Sequence, residues 1–174
     1  MSDFLADVRH EFQRHKALAD KSLAELDDEQ FFRAPGEAVN PVALIVKHLA
    51  GNLSSRWTDF LTTDGDKPTR DRDAEFVLTE RDTRPNLLAA WERGWTVLFA
   101  TLSGLSDADL DKSITIRGEN HTSRQAILRG MTHVAYHTGQ ILYLVRLLRP
   151  QAPWLTIAPG QSRAFRQKYR QPAK

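Results

Sequence analysis

The sequence predicts an all-α protein, a four-helix bundle with a short hairpin before the fourth helix. Three observations carry that prediction. Four long segments repeat apolar residues every three or four positions, the mark of amphipathic helices. Capping signals bracket several of them. Strand-like alternation is confined to one short stretch, "ITIRGENHT".

The first helix is expected from Ser2 to Leu26, with Leu5, Val8, Phe12, Ala19, Leu23 and Leu26 on one face. "DDEQFFRAPGEAVN", holding Pro35 and Gly36, breaks it. The second helix opens at Asn40-Pro41, where Asn suits the N-cap and Pro the first helical position. It is expected to run to Thr63, with Gly65 as its stop, before the polar link "DGDKPTRDRD". The third helix begins near Thr83, tolerates Pro85 in its first turn, and carries Leu87, Leu88, Trp91, Trp95, Leu98 and Leu102. Gly104-Leu105 reads as a left-handed C-cap. In the hairpin, Ile114 and Ile116 alternate ahead of a turn at Gly118-Glu119-Asn120. Thr122 and Gln125 form a capping box for the fourth helix, Ser123 to Leu148, which ends before Pro150. A tail with Pro153, Trp154, Pro159 and Gly160 leads into a short amphipathic piece bearing Phe165 and Tyr169. Connections of roughly 13 to 20 residues are long for a bundle, so they can join helices that are not neighbours.

The 174 residues suit one domain, 1–174, with a real core. Lys and Arg number 24 against 22 Asp and Glu, a net charge of +2. That small excess argues against nucleic acid as a partner, although Arg146, Arg149, Arg163, Arg166, Lys168, Arg170 and Lys174 crowd the C-terminal part. The lack of cysteine excludes disulfides, thiolate metal sites and a cysteine nucleophile. No apolar run reaches membrane-spanning length, and the N-terminus "MSDFLADVRHEF" is charged throughout, unlike a signal or transit peptide. The expected location is the cytoplasm.

The chemistry-bearing residues are histidines. His133 and His137 lie four apart on the fourth helix, so their rings can converge on one point, as in helical zinc sites. Spacing alone leaves a second reading open, two core-flanking histidines bonded to carbonyls or carboxylates. The neighbours Gly130, Met131, Val134, Ala135 and Ile141 are small or apolar. His48, mid-helix in "LIVKHLAGN", can supply a third imidazole from the second helix. Three neutral nitrogens with an open fourth position match the catalytic zinc layout. His10 and His15 read as surface residues and His121 as a turn residue beside Glu119. Tyr136 and Tyr143 are pocket hydroxyls or packing aromatics, and Trp91 with Trp95 is an intramolecular core pair or an interface anchor.

"KHLAGN" in the second helix, "GMTHVAYHTGQI" in the fourth and the closing "PWLTIAPGQSRAF" resemble the DinB-like superfamily of bacterial damage-inducible proteins, over essentially the whole chain. The resemblance implies an up-down-down-up bundle, usually a homodimer, holding zinc or nickel on three histidines. Those fall on His48, His133 and His137. Related proteins include bacillithiol transferases and the mycothiol-dependent maleylpyruvate isomerase, in which a low-molecular-weight thiol is cofactor. The expected function is therefore a metal-dependent, thiol-dependent S-transferase or isomerase acting on a small molecule. A metal acidifies a bound thiol or water, and without cysteine the thiol must be imported. The alternative is a non-catalytic, dimeric metal-binding or stress-response module. Asn52 and Gln140 are the candidate catalytic-site groups, orienting imidazoles or substrate, or else making ordinary bonds across helices.

Overall fold

The computed structural model describes residues 4–170, with side chains described as far as residue 167. Ser2 and Lys174, and the side chains of Lys168, Tyr169 and Arg170, lie outside that range. The protein is mostly helical: α1 (Phe4–Leu23), α2 (Asp28–Phe32), α3 (Val42–Trp57), α4 (Arg84–Gly104), α5 (Ser123–Leu148) and α6 (Ser162–Arg170). Strands β1 (Ser113–Ile116) and β2 (Glu119–Thr122) form an antiparallel hairpin between α4 and α5.

Helix α3 packs on α4 and α1 on α5, while α3–α5 and α1–α4 contacts complete the set. Buried positions on α1 (Leu5, Val8, Phe12, Ala19, Leu23) recur every three or four residues except for one gap, giving a single apolar stripe. By contrast α3 is buried nearly all round and lies at the centre. At Gly94 of α4 a Cβ would come within 3.1 Å of Leu53 Cβ and the Ala50 carbonyl oxygen, so glycine permits the close α3–α4 approach. Phe12 meets Trp57 and Trp95 edge-on at 5.6 and 6.4 Å, and Trp91 abuts Trp95 at 5.4 Å. Trp91 and Trp95 are thus intramolecular core, not interface anchors, and Trp91 Nε1 donates to Asp20 Oδ1 at 2.9 Å.

Several boundaries differ from expectation for local reasons. Pro41, with ψ 163°, is the N-cap of α3 in place of Asn40, so the helix begins one residue later. That helix ends at Trp57, not Thr63. Thr58 donates from both its N–H and its hydroxyl to the Ser54 carbonyl, and Asp59 turns left-handed at φ 48°. Gly65 is no helix stop, because its N–H donates to the Thr115 carbonyl and ties the link to the hairpin. Gly104 is not left-handed either. Extended Leu105 follows it, and a Ser106–Asp109 capping box begins the next turn. Inside the stretch read as a break, Asp27 and Gln30 form a capping box that nucleates α2 and buries Phe31. The hairpin turns on Arg117 and Gly118, both at positive φ, one residue earlier than expected. The capping box at Thr122 and Gln125 and the span of α5 stand where the sequence puts them.

Candidate metal centre

His48 is on α3, and His133 and His137 are one turn apart on α5, which packs against it. One ligand atom from each of the three imidazoles lies within 4.8 Å of the others, making this a group able to hold a metal ion. Two of the rings are oriented from outside. His48 Nδ1 lies 2.7 Å from Glu75 Oε2, and His137 Nδ1 lies 2.6 Å from Gln140 Oε1. Both partners are acceptors, so each Nδ1 carries the proton and each Nε2 keeps a lone pair. His133 Nδ1 is buried without a partner, and its Nε2 faces His48 Nε2 at 3.2 Å.

The donor set fits a divalent transition metal. Nitrogen ligands at 2.0–2.1 Å from a tetrahedral ion sit about 3.3 Å apart, close to that 3.2 Å separation. Two of the imidazoles, His133 and His137, are also held in the required neutral form. Burial, and then the charges of His137 and His48, push His133 down to about 2. Burial pulls His137 down to about 4, against the Gln140 bond that favours its protonated form.

The support behind His48 is built in a segment without regular periodicity. Glu75 lies in a short 3₁₀ turn, Asp73–Phe76, and is buried. Arg70 grips its carboxylate with Nε at 2.7 Å and Nη2 at 2.8 Å, while Arg70 Nη1 reaches Asp66 at 3.1 Å. Burial alone would raise the Glu75 carboxyl, but the His48 and Arg70 hydrogen bonds hold it below the usual range. Gly51 makes the arrangement possible. A Cβ there would collide with Glu75 Oε1 and lie 2.8 Å from its Cδ. Phe76 packs beside the His48 ring at 4.8 Å between centroids.

The histidines open onto a cavity of about 600 Å³ that Asn52, Tyr136 and five arginines (56, 70, 72, 117 and 129) also line. Asn52 is one turn beyond His48 and buried against this cavity. Gln140 is not part of its lining; it holds the His137 ring from outside and borders a second cavity. Tyr143, the other tyrosine singled out, borders that second cavity and is exposed. His10 is exposed, His15 half-buried, and His121 sits 3.1 Å from Arg129; none belongs to the triad.

Glu75, Arg70, Arg56 and Arg129 were not picked out from the sequence. For two of them a signal existed. His48, Asn52 and Arg56 repeat every four residues on α3, as do Arg129, His133 and His137 on α5. Glu75 and Arg70 carry no such periodicity.

Similarity to known proteins agrees with the fold and leaves the chemistry to the site. A solved structure described as "Crystal structure of the conserved protein of locus from Enterococcus faecalis" superposes with a TM-score of 0.65 at 16% identity, covering 87% of this chain and 100% of that one. At that identity the likeness shows the fold alone. No curated protein matches the sequence. A family model described as "Protein of unknown function (DUF1572)" matches residues 1–161, and the chain belongs to that family.

Proposed function

We propose that His48, His133 and His137 hold a divalent transition metal, zinc or nickel, and that the protein is a metal-dependent enzyme acting on a small molecule. The carrying observation is the triad itself: three ligand atoms from two helices within 4.8 Å, with two rings locked into the tautomer that turns a lone pair inward. When bound, such an ion makes a thiolate or hydroxide available near neutral pH. The chain's own groups position and select. Glu75 and Gln140 fix the His48 and His137 rings. Asn52 and Tyr136 offer polar contacts along the cavity. Phe76 shields one side of His48.

The resemblance of "KHLAGN" and "GMTHVAYHTGQI" to the DinB-like superfamily supports thiol-dependent S-transfer or isomerisation as the reaction class. The same resemblance supports a single up-down-down-up domain over 1–174 and a homodimer. Exposed Val39, Tyr143 and Leu147 around the second cavity suit such an interface.

Metal analysis of native protein tests the reading. The expected result is about one transition metal per chain, lost in His133→Ala and kept in His10→Ala. Protein free of metal, with a thermal midpoint unmoved by added zinc or nickel, overturns it. With metal present, a panel of low-molecular-weight thiols and monochlorobimane separates enzyme from binder. No rate above that of the free ion, with any thiol, favours the non-catalytic module.

A further inference from the structure

The cavity beside the triad has no carboxylate in its lining and five arginines. Four of those arginines are answered from outside the lining. Arg70 pairs with Asp66 and Glu75, Arg117 with Asp66, Arg129 with Glu119 and Arg72 with Asp73. Arg56 differs. It is 8% exposed, its Nε and Nη1 have no hydrogen-bond partner, and among the described residues it forms no ion pair, Asp66 acting on it only through its charge. A guanidinium removed from water without a counter-charge is costly, and it does not lose its proton to escape that cost. Burial, followed by the charges of Arg129, Arg70 and Arg117, lowers it only to about 10, so the charge persists at neutral pH.

We infer that the cavity takes an acidic small molecule, its carboxylate or phosphate group anchored by Arg56 and its other end placed at the three histidines. The inference rests on the reading of this cavity as the functional site, but the arginines need no metal to attract an anion. A planar guanidinium fork matches both carboxylate and phosphate oxygens. Position supports the assignment. Arg56 is two turns beyond His48 on the same face of α3, with Asn52 between them, and its charge reaches His133. Arg129 approaches from the matching face of α5, and Arg117 from the hairpin, held there by Asp66 at 2.9 Å. A cavity of about 600 Å³ holds a molecule of metabolite size.

Calorimetric titration at constant ionic strength, with inorganic phosphate and with succinate as separate probes, tests this on metal-loaded and chelator-stripped protein. At least one probe is expected to bind, in both metal states, with affinity falling about tenfold or more in Arg56→Gln. The exposed control Arg14→Gln should match wild type. The phosphate and succinate arms tell which oxyanion is favoured. Metal content measured on each variant keeps the two readings apart. Metal-loaded protein that binds neither probe, or that binds them as well in Arg56→Gln, overturns the anion site and leaves the metal centre standing. Binding without any metal affinity does the reverse. Should Arg56→Gln fail to fold, Arg56→Lys keeps the charge without the fork. An affinity several-fold below wild type then supports the inference, and an unchanged one overturns it.

Discussion

Two adjacent faces of α3 are buried to a similar degree and built on opposite principles. Leu49, Leu53 and Trp57 form one, and His48, Asn52 and Arg56, each a single residue earlier, form the other. The apolar face is held by contact, with the Trp57 Nε1–H as its one buried donor left without a partner among the described residues. Trp57 stacks on Phe60 at 5.1 Å and meets Phe12 edge-on, so removal from water is itself the stabilisation. The polar face is stabilised only where it finds partners, and it finds them unevenly. His48 has Glu75, whereas Arg56 has none among the described residues. Similar burial with unequal satisfaction is what the proposed ligand site accounts for on the polar face, whereas packing alone accounts for the apolar one.

The sharpest way to break the comparison is Trp57→Ala. It should lower unfolding free energy by about 3–5 kcal/mol, read by denaturant titration, while the folded fraction keeps its metal stoichiometry. Loss of metal from the folded fraction would mean that the two faces are not separable.

Glu75→Gln probes the polar face where it is satisfied. The amide removes the charge that fixes the His48 proton and faces Arg70. Metal affinity should fall about 10- to 100-fold, measured by competition with a chelator, and unchanged affinity would remove Glu75 from the site.

Arg56→Met probes the same face where it is unsatisfied, and the expected sign reverses. Replacing an unpaired buried charge by an apolar side chain of similar length should leave stability unchanged or raise it by about 1 kcal/mol. Destabilisation beyond about 2 kcal/mol would show that Arg56 is a structural group after all.

Much of the helical scaffold was legible in advance because its signals are local. The Thr122–Gln125 capping box and the apolar repeat of α5 involve residues within one or two turns of each other. Where expectation missed, a distant or competing bond intervened. Gly65 resembles a helix stop until its N–H is seen to reach Thr115 in the hairpin. Gly104 resembles a left-handed cap until the Ser106–Asp109 box redirects the chain. In the site, four-residue spacing already placed His133 beside His137 and put Asn52 and Arg56 on the His48 face.

By itself the sequence determined the long amphipathic helices, the hairpin between the last two of them, and the placement of His133 and His137 on one helical face, since helical periodicity depends on near neighbours alone. Only the tertiary structure decided that α3 faces α5 so that His48 completes the triad. It alone brought Glu75 and Arg70 in from an aperiodic link, with Gly51 leaving them room. It also left the Arg56 Nε and Nη1 inside without a hydrogen-bond partner among the described residues. The reason is physical: whether a buried polar group is satisfied depends on what the rest of the chain brings to it, and no local repeat in a sequence encodes that.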